Sequence, residues 1–139
     1  MTLSTPEQAE SAFYRAFEHA DLSAMMAVWA EDGEIVCVHP GGERLIGLDA
    51  VRDSWRRLFS QGPRLRFRLL DLRVHTARPL SIRHLYESIT IAGAVGPAHL
   101  VLATNIYLLT PSGWRMLVHH ASPLPSGTTA PETPAGTIH

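Results

Sequence analysis

The sequence has few of the features that mark membrane, secreted or nucleic-acid-binding proteins. A single cysteine, Cys37, excludes an intramolecular disulfide and fits a reducing compartment. No apolar run approaches the roughly 18 residues of a membrane span, and the first ten residues, MTLSTPEQAE, lack the basic and then apolar order of a secretory signal. A formal net charge of −1 gives no global field that attracts a polyanion. We therefore expect a cytoplasmic protein with neither a membrane nor a nucleic acid as partner.

What is present is the composition of an ordinary globular domain. The chain has 139 residues, of which 45% are hydrophobic and 18% charged, enough for one domain with a sizeable core. We expect residues 1–122 to form that domain. Residues 123–139, PLPSGTTAPETPAGTIH, are rich in Pro, Gly and Thr and show no periodicity, so we expect this tail to be disordered.

The first half of the chain carries three helical patterns. Thr5 precedes a proline and can cap a first helix, whose apolar residues recur at helical spacing as far as Ala20. Asp21 can cap a second helix that runs through Trp29. A third helix is predicted with Asp49 as its cap. These three amphipathic helices surround one short apolar strand, VCV.

The second half changes to the two-residue period of strands. Arginines alternate with apolar residues from Arg64, and the phase reverses after Leu70, which indicates a β-bulge that bends the sheet. Further strands are predicted over 81–91, 99–110 and 114–121. Helices followed by hairpins predict an α+β fold, in which three N-terminal helices pack on the concave face of a strongly curved, mainly antiparallel sheet. Such a sheet forms a cone with an interior.

One histidine stands at the mouth of this predicted cone. His39 ends the strand VCV and is followed by Pro40-Gly41-Gly42, which turns the backbone away and leaves the imidazole facing the interior. It can act in acid–base chemistry or ligand contact. It can equally be a core histidine that is hydrogen-bonded to Glu87 or to backbone, which is the commoner role.

Alternation places further polar side chains on the inner face of the sheet. Asn105 shares a face with Tyr107, and Glu87 lies among aliphatic neighbours, where a carboxylate is costly unless it is hydrogen-bonded. Of the pair His119 and His120, one must face inward, and we choose His119. The same parity puts two groups on opposite faces of the last strand: Arg115, Leu117, His119 and Ala121 inside, and Met116, Val118 and His120 outside.

The order of these stretches resembles a known superfamily. AFYRAFEHADLSAMMAVWAEDG, then VCVHPGGERLIG, a helix containing DSW, and finally ATNIYLL and GWRMLVHHASP are similar to the nuclear transport factor 2-like superfamily, and within it to the SnoaL-like group related to ketosteroid isomerase. The resemblance implies a cone-shaped, barrel-like α+β fold. It specifies fold better than activity, because this fold hosts isomerases, cyclases, dehydratases and non-catalytic assembly domains.

Ketosteroid isomerase chemistry is only partly matched. The resemblance places His39 where those enzymes have a general-base aspartate, and Asn105 where they have a protonated aspartate. The position of their oxyanion-donating tyrosine is occupied by Phe13, with Tyr14 one residue away on a different helix face. The isomerase set is therefore not intact, although a base and a carbonyl-polarising amide remain.

From the residues and the resemblance we predict one internal site. Its polar members, as candidate catalytic residues, are His39, Glu87, Asn105 and His119. Its ligand-binding wall is predicted from Phe13, Tyr14, Trp29, Trp55, Phe59 and Tyr107. No metal and no cofactor are expected, because the histidines show no H-x-x-x-H spacing and the chain no C-x-x-C.

Two classes of function remain open. One is a cofactor-independent isomerase, cyclase or hydratase acting on a small hydrophobic, carbonyl-bearing molecule, which needs a cavity open to solvent. The other is a non-catalytic module that binds a ligand or dimerises, which is favoured if Trp and Met side chains plug the cavity. In either case we expect a homodimer through the convex sheet face, where parity exposes Ile106, Leu108, Met116 and Val118.

Overall fold

The computed structural model of the chain describes residues 2–31 and 34–132. The helices are α1 (Pro6–His19), α2 (Leu22–Val28) and α3 (Leu48–Gln61). The strands are β1 (Val36–Val38), β2 (Leu45–Ile46), β3 (Leu65–Ala77), β4 (Leu80–Ile91), β5 (His99–Thr110) and β6 (Gly113–Pro123). They form a six-stranded sheet in the order β2-β1-β6-β5-β4-β3. Only the β1–β6 pair among these strands is parallel, so the predicted α+β fold with a mainly antiparallel sheet is confirmed.

The first two helix starts agree with the sequence, and the third does not. The side chains of Thr5 and Asp21 accept hydrogen bonds from backbone N–H groups of the first turns of α1 and α2. Asp49 is not the cap of α3, because the helix already begins at Leu48. Gly47 occupies the cap position with φ 91° and no side-chain hydrogen bond, a conformation that favours glycine.

The second helix is also shorter than predicted. It ends at Val28, and Trp29 has extended backbone angles and forms a parallel bridge with Met116 of β6. A second short strand, β2, pairs with β1 where the sequence predicted only one strand. A two-residue strand carries too little periodicity to be recognised.

The bulge predicted in β3 is present, and β6 contains a second irregularity. In β3 the register shifts between Leu70 and Arg73. Between β5 and β6, Ile106 pairs with Val118 but the next residue pairs with Met116. The extra residue reverses the parity, so Met116 lies fully buried in the core and its predicted place on the convex face is wrong.

The same shift explains which side chains of β6 face inward. His119 and Ala121 are buried and His120 is exposed, so the choice of His119 as the inward histidine agrees with the structure. Arg115, predicted to share the interior with His119, instead donates hydrogen bonds to the backbone carbonyls of Ala27 and Ser112. The prediction for Arg115 is wrong because the bulge changes the parity of β6 within an apolar run, residues 116–118, that fits either phase.

Large side chains fill the space between the helices and the concave face of the sheet. Aromatic rings of α1 and α3 pack edge to face, with Phe17 and Trp55 centroids 4.8 Å apart. Trp29, Trp55, Met25 and Met116 are all essentially inaccessible to solvent. The interior of the cone is therefore plugged by tryptophan and methionine side chains.

The outer edge of the sheet is covered at one point by a helix side chain. The edge strand β3 exposes backbone N–H groups that no neighbouring strand uses. The carboxylate of Glu18, on α1, accepts a hydrogen bond from the backbone N–H of Phe67 at 2.8 Å. Helix α1 is thereby joined to the sheet by a polar contact in addition to its apolar face.

Two predictions concern the C-terminal end of the domain and the tail that follows it. The predicted domain boundary falls beside the end of β6 at Pro123, and Leu124 still donates a backbone hydrogen bond to Leu100. The tail predicted to be disordered includes residues 133–139, which lie outside the described residues, so that prediction stays a prediction. In the described ranges no helix has the length and apolar character needed to cross a membrane.

Candidate functional site

Four buried polar side chains form a continuous hydrogen-bonded chain under α1, here called the buried relay: Glu87, Tyr14, Asn105 and His119. The Tyr14 hydroxyl donates to Glu87 Oε2 at 2.6 Å. Asn105 Nδ2 donates to the same hydroxyl at 2.9 Å, and His119 Nδ1 lies 2.6 Å from Asn105 Oδ1. Because Asn105 Oδ1 can only accept, the hydrogen bonds run in one direction from His119 to Glu87.

Burial sets the protonation states of the relay. Desolvation raises the pKa of Glu87 to about 7, although the hydrogen bond from Tyr14 lowers it. Desolvation, with smaller contributions from His39 and His120, lowers the pKa of His119 to about 3. His119 is therefore a neutral imidazole at pH 7. Its proton is on Nδ1, which donates the hydrogen bond to Asn105.

The relay is closed to solvent. None of its four side chains exceeds 5% relative exposure. The ring of Phe13 packs on His119, with centroids 4.9 Å apart. The ring of Trp55 also lies near His119, with centroids 6.2 Å apart. A substrate could reach these groups only if core side chains moved.

Tyr14 has a more central place than the sequence suggested. Helical spacing predicts a different face for Tyr14 than for Phe13, yet both side chains are buried, with their ring centroids 4.9 Å apart and nearly perpendicular. α1 buries a face broad enough to include both residues. The hydroxyl of Tyr14 joins Glu87 to Asn105.

His39 stands apart from the relay, on the wall of an open pocket. Its ring centroid is 6.5 Å from that of His119, and its hydrogen-bond partner is Ser54 and not Glu87. The pocket has a volume of about 510 Å³. Its lining residues are His39, Gly42, Glu43, Leu45, Ser54, Arg57, Leu58, Gln61 and Gly62. We call it the His39 pocket.

Two chain segments build this pocket. Ser54, Arg57, Leu58 and Gln61 recur at i, i+3, i+4 and i+7 and so present one face of α3. The opposite wall is the connection between β1 and β2, where Gly42 N–H donates to the His39 carbonyl at 2.8 Å and Gly41 has φ 74°. These are the features of a type II turn with proline and glycine at its centre. The sequence predicted a turn at this proline and these glycines.

The immediate contacts of His39 hold its ring in place. His39 Nε2 lies 3.0 Å from Ser54 Oγ and 3.6 Å from Cys37 Sγ. Trp55 packs against the imidazole edge to face, with centroids 4.7 Å apart. Burial lowers the pKa of His39, which favours the neutral ring, and burial raises the pKa of the Cys37 thiol to about 12.

The predicted ligand-binding wall is mainly core. Phe13, Trp55 and Tyr107 are fully buried, and Phe59 is half-buried against Trp55. None of the six predicted residues lines the His39 pocket. Trp29 lines a different pocket, of about 700 Å³, between the end of α2 and the β5–β6 hairpin.

A second polar cluster lies inside the cone and was not predicted. Arg83 Nη2 donates to Glu10 Oε2 at 2.8 Å, with both side chains buried. Burial raises the pKa of the Tyr107 hydroxyl, and the nearby charges of Glu10 and Arg83 act on this pKa in opposite directions. The sequence did contain a signal for this cluster. Arg83 and Glu87 are four residues apart in the same predicted strand, so both side chains are on its inner face.

Ser54 is the pocket residue in contact with His39 that the sequence did not predict. Its hydroxyl contacts His39 and donates to the Val51 carbonyl at 2.8 Å. Its spacing on α3 relative to Leu58 was visible, but nothing in the sequence brought α3 beside His39.

Within residues 2–31 and 34–132, no group of three His, Cys, Asp or Glu side chains is arranged to hold a metal ion.

Comparison with solved structures finds close relatives of this fold. The chain is 42% identical to a candidate calcium/calmodulin-dependent protein kinase type II association domain from Thiobacillus denitrificans, with a TM-score of 0.85 over 90% of this chain and 99% of that one. It is 30% identical to a candidate dehydratase of the NTF2-like family from Streptomyces avermitilis, with a TM-score of 0.75 over 84% of this chain and 91% of that one.

Sequence comparison gives a curated relative and a family. The F-box protein SKIP8 of Arabidopsis thaliana is 27% identical over 112 residues, which are 79% of this chain and 46% of that protein. The chain thus spans about half the length of this curated relative. The model of the SnoaL-like domain matches residues 7–126. With this match and its NTF2-like structural neighbours, the chain belongs to the SnoaL-like family of the nuclear transport factor 2-like superfamily.

Proposed function

We propose that this chain is a non-catalytic SnoaL-like module that binds a small apolar molecule in the His39 pocket and assembles as a homodimer. The observation that carries the proposal is the separation of the two polar sites. The relay is buried and partnered within itself, so it acts as framework, whereas His39 is half-buried on a pocket wall. A cavity plugged by Trp29, Trp55 and Met116 is the arrangement that favours the non-catalytic class.

The pocket suits a small neutral ligand. Its volume falls within the roughly 300–1,000 Å³ typical of small-molecule sites. Leu45 and Leu58 supply apolar walls, and His39 with Ser54 supplies polar atoms. Arg57 and Glu43 line opposite walls, so their formal charges balance across the pocket.

The binding test follows pocket resonances by NMR during titration with three neutral aromatic probes of similar size: phenol, anisole and acetophenone. Binding predicts shifts at Leu45, Ser54 and Leu58. His39→Asn is expected to keep the fold and weaken binding, whereas His75→Asn, on the exposed part of β3, is the matched control and should bind as the wild type does. Unshifted pocket signals at millimolar concentrations of all three probes would refute the proposal.

The dimer is proposed through the convex face of the sheet. A row of β-branched side chains crosses five strands there by direct cross-strand pairing. The row is Ile82, Ile106, Val118, Val36 and Ile46. Ile82 and Ile46 are exposed, and the others are half-buried. The association-domain name of the 42% identical relative supports an assembly role.

Light scattering tests this interface. Wild-type protein at micromolar concentration should have the mass of a dimer. Ile106→Glu, at the centre of the row, should give a folded monomer, whereas Val95→Glu, on a fully exposed loop, should remain dimeric. A wild-type monomer, or a dimer that Ile106→Glu leaves intact, would contradict the proposal.

A second function has one specific observation in its favour. The neutral imidazole of His39 is a base exposed to the pocket, and the 30% identical relative bears a dehydratase name. Proton-transfer activity of isomerase, cyclase or hydratase type would exchange the methyl protons of acetophenone in D₂O. Exchange that is lost in His39→Asn would establish this function and replace the non-catalytic one.

A further inference from the structure

The hydrogen bonds of Ser54 determine which nitrogen of His39 is free to meet a ligand. A serine hydroxyl has one proton. In this structure Ser54 Oγ donates to the Val51 carbonyl at 2.8 Å. Toward His39 Nε2, 3.0 Å away, the same oxygen can only accept. His39 Nε2 therefore carries the proton of the neutral imidazole.

The second contact of this nitrogen is compatible with the same assignment. Cys37 Sγ, 3.6 Å from His39 Nε2, is a weak acceptor. Burial keeps this sulfur as a thiol by raising its pKa to about 12, so no thiolate competes for the imidazole proton. Both neighbours of Nε2 can thus receive the N–H, and the unprotonated nitrogen is Nδ1.

We propose that Nδ1 of His39 is the ligand-binding atom of the pocket, and that the pocket selects a neutral apolar molecule carrying a hydroxyl or N–H donor over one carrying only a carbonyl. This inference rests on the proposed function, because it names the ligand class of the same site. It replaces the carbonyl-bearing ligand that the sequence suggested, since an unprotonated nitrogen accepts a hydrogen bond and cannot donate one to a carbonyl.

The tautomer is tested first, on the full chain. Nitrogen-15 NMR of labelled histidine, with His39→Asn identifying the signal, should show a protonated Nε2 and an unprotonated Nδ1. Ser54→Ala should shift the signal toward a mixture of tautomers, because the acceptor that fixes the proton is removed. A proton on Nδ1 in the wild type would overturn the inference and leave ligand binding in the pocket untouched.

Ligand class is tested with the same three probes. Phenol offers a donor, acetophenone only a carbonyl, and anisole neither a donor nor a carbonyl. One net hydrogen bond predicts that phenol binds about three- to tenfold more tightly than anisole and acetophenone. Equal affinities, or acetophenone binding most tightly, would overturn the inference while the proposed function stands.

A variant ties the preference to His39. His39→Phe keeps an aromatic ring against Trp55 but removes the acceptor, so phenol should lose its advantage over anisole. Ser54→Ala keeps the imidazole and should reduce the advantage in part, which serves if His39→Phe fails to fold. An undiminished preference for phenol in both variants would overturn the role of Nδ1. Absence of binding by any probe refutes the proposed function and this inference together.

Discussion

Two polar clusters lie in the interior of the same cone, and they differ in completeness. In the relay, the Tyr14 hydroxyl both donates to Glu87 and accepts from Asn105. In the Glu10–Arg83 cluster, three buried atoms have no hydrogen-bond partner within the described ranges: Glu10 Oε1, Arg83 Nε and the Tyr107 hydroxyl.

The difference shows two ways of placing polar groups in a core. A complete network gains from every hydrogen bond and fixes side-chain positions. A buried ion pair with unpaired atoms has strong internal attraction that is offset by the cost of desolvation. The two clusters should therefore respond differently to substitution, and four experiments examine that difference.

The largest effect is expected from leaving one charge of the ion pair alone. Arg83→Leu buries the Glu10 carboxyl without its partner, and we expect a loss of about 3–5 kcal/mol in the free energy of unfolding. Urea denaturation measures it. The double variant Glu10→Leu/Arg83→Leu should recover most of the loss, because no unpaired charge remains. A double variant as unstable as the single one would show that packing, not charge, dominates.

The pH dependence of the relay is the next largest effect. Burial raises the pKa of Glu87 from 4.5 to about 7, so its favourable contribution is complete below pH 4.5 and is lost as the pH rises through about 7. Glu87→Gln removes this dependence. The stability of the wild type relative to the variant should fall by about 3 kcal/mol over that interval.

His119 provides an internal check on this experiment. Burial lowers its pKa from 6.5 to about 3, so its contribution is present above pH 6.5 and is lost as the pH falls toward 3. In the wild type the two contributions oppose each other on acidification, whereas in Glu87→Gln only the loss from His119 remains. Parallel stability curves for the two proteins would contradict the raised pKa of Glu87.

A smaller effect is expected from removing the central hydroxyl of the relay. Tyr14→Phe leaves Glu87 Oε2 and Asn105 Nδ2 without this partner, and we expect a loss of roughly 1–3 kcal/mol. Thermal and urea denaturation report it. A variant as stable as the wild type would mean that the relay contributes no net stability.

The smallest effect is expected at the other buried tyrosine. Tyr107→Phe removes a hydroxyl that has no hydrogen-bond partner in the part of the chain described, so stability should change by less than about 0.5 kcal/mol or increase slightly. Because both substitutions delete one buried tyrosine oxygen, this variant is the matched control for Tyr14→Phe. A loss at Tyr107 equal to that at Tyr14 would show that the two clusters do not differ as described.

The elements were largely predictable because local signals and tertiary structure agree. Thr5 and Asp21 cap their helices, and the phase change after Leu70 marks a real bulge. The shift near Met116 was not predicted, because it falls in a run of three apolar residues, Met116-Leu117-Val118, that fits either phase of alternation. Only the pairing of β6 with β5 shows where in that run the extra residue lies.

The sequence predicted which polar side chains share the inner face of the sheet, but not which of them form hydrogen bonds with each other. Parity and the resemblance placed Glu87, Asn105 and His119 in one site with His39. The structure joins the first three and leaves His39 apart. Parity could not show that Tyr14 completes the chain, nor that Ser54 and not Glu87 holds His39. Those pairings depend on how α1 and α3 are rotated against the sheet, and single-sequence periodicity does not fix that rotation.

The carboxylate of Glu18 on the backbone of β3 bears on how copies of this protein can associate. An added strand would need the Phe67 N–H, which Glu18 already occupies through a charge-assisted hydrogen bond. Strand addition at this edge must first displace α1 side-chain contacts, so the sheet resists open-ended growth by edge-to-edge pairing. For the dimer proposed above, this leaves the face of the sheet, where a two-fold contact would close on itself and end with two subunits.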